Sequence, residues 1–130
     1  MPRFAGSGRV YIRVLIAFED EYRVYGAAIT GAIRRARLTD EVVTTEIGEL
    51  EREVRRFDPH LIISSLPALA DSGRWVSWMR LSSDPTRLSE ICVEGNRWEL
   101  SNPSLGEVLS VLEETEGLLV GSNQGPRREL

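Results

Sequence analysis

The order of strand-like and helical segments in the first half of the chain restricts its fold more than any other feature. Three short runs rich in β-branched and other apolar residues predict strands: Val10–Ala17, Glu41–Glu46 and Leu61–Leu66. The segments between them, Tyr22–Arg37 and Gly48–Phe57, carry apolar residues at helical spacing. Strands that alternate with helices over short links form a parallel sheet with helices on its faces. The sequence therefore predicts an α/β fold.

The second half of the chain breaks this alternation after Pro67. Only residues 68–74 precede the next strand-like run, Trp75–Ser82, whereas a helical crossover usually needs about a dozen residues or more. Leu88–Glu94 and Arg97–Leu100 flank Gly95-Asn96, a two-residue link typical of a β-hairpin. We therefore expect a remodelled second half, with an extra hairpin and with the third and fourth helices of the alternation shortened or missing.

A single domain is predicted, because 130 residues, of which 42% are hydrophobic, suffice for one core. We place it at residues 10–116, after a flexible leader at residues 1–9 that is rich in Gly and Ser. Pro103–Glu116 closes the domain as a helix with one apolar side. The tail at residues 117–130 begins apolar, becomes polar, and is expected to fray after about Val120.

Composition and charge argue against several classes of protein. A formal net charge of −4 disfavours a general nucleic-acid binder, because such binding needs clustered cations that displace counterions. The N-terminus lacks the apolar core of a signal peptide, and no run approaches the roughly 18 to 20 apolar residues of a membrane span. The only cysteine, Cys92, cannot form an internal disulfide. The expectation is a soluble cytoplasmic protein that binds neither nucleic acid nor membrane.

All 16 cations of the chain are arginines, since no lysine occurs. This absence excludes a P-loop lysine and a Schiff-base lysine. The only histidine, His60, has no nucleophile at a spacing that supports catalysis, and Cys92 lies in an apolar run typical of a buried strand. We expect no enzymatic activity.

Polar residues follow the first and third predicted strands. Ile12–Ala17 is followed by Phe18-Glu19-Asp20-Glu21, and Ser65 stands six residues after Pro59 near the end of the third strand. Both segments resemble landmarks of the response-regulator receiver domain. In that family paired carboxylates after the first strand hold magnesium, and an aspartate at the end of the third strand accepts a phosphoryl group.

Two later segments extend the resemblance to the receiver family. Leu81-Ser82-Ser83 is similar to a segment in which a hydroxyl group senses the phosphoryl group, so the resemblance implies Ser82 for that position. Ser101-Asn102-Pro103 is similar to the Lys-Pro segment, and Asn102 stands where the family has its lysine. The resemblance covers approximately Val10 to Glu116 and implies a flavodoxin-like fold for this part of the chain.

The departures from the family pattern imply a degenerate receiver that works through protein contacts. Ser65 replaces the aspartate that would attack the phosphoryl donor, and we expect no base near its hydroxyl group. Asn102 has no charge with which to bind phosphoryl oxygens. The partners that the resemblance implies are a histidine kinase or an output protein, and homodimerisation is an open alternative.

The register of the acidic loop is ambiguous from the sequence. Counting forward from the first strand places Phe18 and Glu19 at the family's carboxylate pair, whereas counting back from the helix places Asp20 and Glu21 there. We expect no cofactor, because the acceptor carboxylate that would complete a magnesium site is missing. Weak Mg²⁺ binding by Glu19 and Asp20 is the alternative.

The three tryptophans, Trp75, Trp78 and Trp98, fall in the β-rich second half. Trp75 and Trp78 are three residues apart and would project to opposite faces of a strand, so one of them is a candidate for exposure. Packing in the core is the commoner role, whereas an exposed tryptophan beside a sheet edge marks a protein interface. We expect this region to leave an edge strand for self-association or partner binding.

Two other functions remain open at this stage. The first is a working receiver that uses Ser65 or Ser64 as its phosphoacceptor. The second is a small α/β enzyme or ligand-binding domain that uses the crevice at the carboxyl ends of the strands, where Glu19, Asp20, Ser65 and Ser82 would converge.

Overall fold

The chain folds as α/β, with a six-stranded mixed sheet and three helices in the part that is described. The computed structural model describes residues 11–65, 77–82, 84 and 86–124. The strands are β1 (Arg13–Ala17), β2 (Glu41–Thr44), β3 (Leu61–Ser64), β4 (Ser77–Arg80), β5 (Leu88–Val93) and β6 (Asn96–Ser101). The helices are α1 (Arg23–Ala36), α2 (Leu50–Phe57) and α3 (Leu105–Gln124), and 3₁₀ turns at Asp20–Tyr22 and Ile47–Glu49 precede α1 and α2.

The strands lie in the order β2-β1-β3-β4-β5-β6. The first four are parallel, β5 is antiparallel to β4, and β6 is antiparallel to β5. The α/β class, the parallel first half and the added hairpin are thus confirmed. The parallel strands are shorter than predicted: β1 begins only at Arg13, whereas the ladders of β2, β3 and β4 end at Thr44, Ser64 and Arg80.

Both faces of the parallel part are covered, which explains its nearly continuous apolar runs. One face packs against α1 and α3 through residues that include Val14, Ile16 and Ile63. The other face packs against α2 through Leu15 and Ile62. Successive residues of one strand therefore enter opposite halves of the core.

A buried ion cluster ties the C-terminal end of α1 to the start of β1 and to α3. The Asp40 side chain, which is 1% exposed, forms an ion pair with Arg37 and accepts the backbone N–H of Ile12 at 3.1 Å. The Arg37 guanidinium also donates to Glu116 Oε1 at 2.6 Å. One carboxylate thereby stabilises the turn before β2 and the entry into β1.

The hairpin turn lies one residue earlier than predicted. Val93 pairs with Asn96, so the two-residue link is Glu94-Gly95 instead of Gly95-Asn96. Both linking residues have positive φ, 50° for Glu94 and 84° for Gly95, as a type I′ turn requires. Glycine occupies the second turn position, and Asn96 becomes the first residue of β6.

Helix α3 extends beyond the predicted end at Glu116. It begins with a capping box, in which Ser104 Oγ accepts the N–H of Glu107 and Glu107 Oε1 accepts the N–H of Ser104. It continues to Gln124, and Leu118 and Leu119 pack against the core. The predicted helix end at Glu116 was therefore wrong, because apolar residues of the expected tail continue the helical face.

The remaining predictions concern parts of the chain with few described residues. Residues 81, 82, 84, 86 and 87, which join β4 to β5, include no helix. Most of the connection from β3 to β4, with Trp75, and the predicted leader lie outside the described residues. Within the described ranges no helix combines the length and the apolar composition needed to cross a membrane.

Candidate functional site

The loop after β1 is held against α1 by a close contact between Phe18 and Gly26. A Cβ atom at Gly26 would come within 2.8 Å of the Phe18 ring, so only glycine lets the ring lie this close to the helix. The Phe18 ring also meets the Tyr25 ring edge-on, with 5.6 Å between centroids. Burial raises the pKa of the Tyr25 hydroxyl group. These contacts fix the backbone from which Glu19 extends.

Glu19 and Ser65 form a reciprocal pair of hydrogen bonds across the ends of β1 and β3. Ser65 Oγ accepts the backbone N–H of Glu19 at 3.0 Å and donates to Glu19 Oε1 at 3.2 Å. The Ser65 N–H donates to the carbonyl oxygen of Ala17 at 3.4 Å. The expectation that no base lies near the Ser65 hydroxyl was wrong, because the chain after Phe18 turns the Glu19 carboxylate toward β3.

Asp20 and Glu21 do not join this pair. Both residues lie in the 3₁₀ turn before α1, where Asp20 forms an ion pair with Arg23 at 2.9 Å while its side chain is 92% exposed. Glu21 is also exposed. The sequence left two registers open for the acidic loop. The one that counts forward from the first strand includes Glu19, and Glu19 is the acid that contacts Ser65. The described residues contain no group of three or more His, Cys, Asp or Glu side chains placed to hold a metal ion.

Ser82 is buried in a local turn of its own. Its N–H donates to Ser89 Oγ at 2.9 Å, and its Oγ accepts the N–H of Asp84 at 3.1 Å. Hydrogen bonds from the backbone and side chain of Thr86 lower the pKa of the partly exposed Asp84 carboxyl group. The Ser82 hydroxyl is therefore engaged by the loop that leads to β5.

Asn102 lies at the far side of the sheet from the Glu19–Ser65 pair. It is exposed, has a φ of 53°, and follows β6, which β4 and β5 separate from β3. Three steps of about 4.8 Å between neighbouring strands give a lateral offset of about 14 Å. Because β5 is inserted before β6, the segment that resembles Lys-Pro lies one strand farther out than it would in an all-parallel sheet.

A groove of about 290 Å³ opens beside the candidate site, between α1 and the ends of β1 and β2. Its lining includes Phe18, Arg23, Thr30 and Thr44. Thr44 was not among the predicted site residues, although the polar run Thr44-Thr45-Glu46 at the end of a predicted strand was a usable signal. The groove is small for a ligand site, since such sites usually measure about 300–1,000 Å³.

The two described tryptophans lie on opposite faces of the hairpin region. Trp78 is partly buried against the core on the α2 side, and the Arg97 guanidinium lies 5.5 Å from the centroid of its ring. Trp98 lies on the α3 side and is 37% exposed. Trp78 thus has a packing role, whereas Trp98 remains a candidate for an interface.

The His60 side chain is hydrogen-bonded to the backbone of β1, and Cys92 is buried. His60 Nδ1 accepts the backbone N–H of Arg13 at 2.9 Å, and the His60 N–H donates to the Arg13 carbonyl oxygen at 2.8 Å. Burial, together with the nearby Arg13 charge, lowers the pKa of His60. Cys92 is buried in β5.

No family model matches this chain, and no match was found among curated proteins or solved structures.

Proposed function

We propose that this chain is a degenerate receiver-like module, which acts through contact with a protein partner and is not phosphorylated on aspartate. The observation that carries the proposal is the position of Ser65 at the end of β3, next to the acidic loop after β1. A receiver would have its acceptor carboxylate there. Serine leaves the arrangement of the loop intact but removes the group that attacks the phosphoryl donor.

The strand order supports the resemblance to a flavodoxin-like receiver. The strand order of the flavodoxin-like fold is 2-1-3-4-5. The parallel strands of this chain lie in the order β2-β1-β3-β4, which matches the first four positions. The inserted β5 and the distant Asn102 argue against a working switch. A phosphoryl group at Ser65 would have no cation at the position of Asn102 to bind its oxygens. A modification that makes equal contacts in two conformations does not change their relative populations.

A second candidate is a receiver-like protein that uses Ser65 itself as the acceptor. The 3.2 Å hydrogen bond from Ser65 Oγ to Glu19 Oε1 favours it, because Glu19 could take the hydroxyl proton as the oxygen attacks. The proton would pass to the carboxylate, and the new bond would join Oγ to phosphorus as the donor's leaving group departs. Among the described residues, Arg23 is the only cation that lines the groove, and it already pairs with Asp20.

Treatment of the whole chain with acetyl phosphate and Mg²⁺ separates the two candidates. Intact-mass spectrometry should show no added phosphoryl group on the wild-type protein, on Ser65→Ala or on Glu19→Gln. Phosphorylation of the wild type that both substitutions abolish would establish Ser65 as the acceptor and favour the second candidate over the first. The proposal includes no bound metal, so calorimetry that gave a micromolar Kd for Mg²⁺ would also contradict it.

The variant Ser65→Asp tests the loss of the switch separately. It restores an acceptor carboxylate beside Glu19, so slow phosphorylation is expected. Amide NMR shifts on phosphorylation should stay near positions 19 and 65, because Asn102 offers no charge and lies on the other side of β4 and β5. Shifts that spread through Ser77–Asn102 would mean that a working switch survives.

A further inference from the structure

The outer edge of β6 presents backbone groups that no described strand pairs with. β6 is the last strand of the sheet, and most of its residues are exposed. Val93 and Asn96 flank the two-residue turn and form a hydrogen-bonded pair, so Trp98 and Leu100 also direct their backbone groups toward β5. By the same alternation Arg97 and Glu99 direct their N–H and C=O groups outward.

The side chains of this edge carry opposite charges two residues apart. Arg97 and Glu99 lie on one face, and Trp98 lies on the other. Glu99 stands opposite Glu90 of β5 and forms no ion pair with any described residue. Arg97 Nη1 lies 3.7 Å from Glu90 Oε2. A cation therefore stands two residues from a carboxylate that has no ion-pair partner among the described residues.

We propose that two copies of this chain pair through β6 as antiparallel strands, with the two-fold axis at Trp98. This register places Arg97 of each copy opposite Glu99 of the other. The two residues direct their backbone groups outward, so each such pair exchanges two backbone hydrogen bonds. The two Trp98 residues form the intervening pair without backbone bonds, in which side chains approach most closely.

The charges select this register over its neighbours. An axis at Arg97 or at Glu99 would place like charges directly opposite each other, which destabilises a strand pair. A shift by one residue would set outward-directed backbone groups against groups that already bond to β5. Only the axis at Trp98 satisfies the backbone and also gives Glu99 a cation.

The surroundings of Trp98 suit a second copy. A groove of about 400 Å³ lies between β6 and α3 on the face that the two tryptophans would share, and its lining includes Trp98, Glu114 and Leu118. The partly exposed Trp98 side chain would gain burial in this groove if the ring of the second copy covered it. These features belong to β5, β6 and α3 and are independent of the resemblance to receivers.

Charge reversal tests the proposal. Sedimentation equilibrium of the whole chain should show a monomer–dimer equilibrium. Arg97→Glu alone and Glu99→Arg alone should each weaken the dimer by about tenfold or more, because symmetry changes two cross-strand pairs at once. The double variant, with both substitutions, should restore dimerisation since the opposite charges are only exchanged. Arg55→Glu, on the exposed face of α2, makes the same charge change away from the edge and should have no effect.

Folding has to be measured beside dimerisation. Arg97→Glu removes the contacts of Arg97 with Glu90 and Trp78, whereas Glu99→Arg places a cation opposite Glu90, so the variants are expected to differ in hairpin stability. Thermal unfolding of each variant at a concentration where it is monomeric measures that difference, and dimer affinities are compared among variants that remain folded. A wild-type chain that is monomeric at millimolar concentration would overturn the proposal. So would a dimer that the single reversals affect no more than Arg55→Glu does, or a double variant that stays monomeric.

Discussion

The parallel half of the sheet and the β5–β6 hairpin differ in how their strands are paired and buried. β1 and β3 pair on both sides and pack under helices on both faces, and nearly every residue in them is buried. β6 pairs on one side, and nearly every residue in it is exposed. The comparison shows that backbone pairing and burial differ within one sheet: β1 and β3 have a neighbouring strand on each side, whereas β6 has one edge that no described strand pairs with and few buried side chains.

The largest effect that would test this difference is expected at Asp40. Asp40→Ala removes a buried carboxylate and leaves Arg37 without its nearest counter-charge and the Ile12 N–H without its acceptor. Breaking a buried ion pair in this way costs about 3–5 kcal/mol of the free energy of unfolding. Urea denaturation followed by circular dichroism measures the loss.

Glu90→Ala is the matched change in the hairpin. Glu90 meets Arg80 and Arg97 at 3.8 and 3.7 Å, and both distances lie near the limit for an ion pair. We expect a loss of at most about 1 kcal/mol, as is usual for ion pairs that solvent reaches. Equal losses for Asp40→Ala and Glu90→Ala would remove the distinction between the two parts of the sheet.

A medium effect is expected from two glycines of α1 that differ in their surroundings. Alanine at position 26 would meet the Phe18 ring at 2.8 Å, and Gly26→Ala should cost about 1–3 kcal/mol through overpacking. Alanine at position 31 would meet only the mobile end of Arg35 at 3.4 Å, so Gly31→Ala should stabilise the protein by up to about 1 kcal/mol. Thermal unfolding of both variants checks the opposite signs, and stabilisation by Gly26→Ala would show that Phe18 is not held against the helix.

The smallest effect concerns the pH dependence of stability. Because burial lowers the pKa of His60 in the folded chain, the unfolded chain takes up this proton first as the pH falls below about 6.5. The free energy of unfolding should therefore decrease from about pH 6.5 downward, until the folded chain is protonated as well. His60→Asn keeps an acceptor for the Arg13 N–H and should flatten this part of the curve. An unchanged curve between about pH 7 and pH 5 would assign the dependence to other groups.

Predictability from the sequence follows the same division. Val14, Leu15 and Ile62 identify their strands because a strand covered on both faces must be apolar throughout. Local patterns also identified the hairpin, although its turn shifted by one residue because Glu94 adopts a positive φ that glycine or asparagine would usually supply. The full length of α3 was missed because Gly117 and the polar residues after Val120 resemble a tail.

The sequence predicted the residues of the candidate site but not the contacts between them. The sequence places acids after β1 and Ser65 at the end of β3, but the contact between Glu19 and Ser65 depends on the path of the chain around Phe18. That path depends on Gly26, which lies eight residues later and has no local signal for the contact. The distance of Asn102 depends on the direction of β5, which is a property of the whole sheet.

The antiparallel direction of β5 has a further consequence for how such a sheet can grow. The chain reverses direction twice between β4 and β6, so β6 runs parallel to β4. The segment that leads to α3 therefore begins at the same ends of the strands as the segments that follow β1 and β3. A single added or deleted strand would send α3 to the opposite edge and away from α1, against which it packs. Whole hairpins, by contrast, can be inserted or removed with the helices left in place, so strands on this side of the sheet are modular only in pairs.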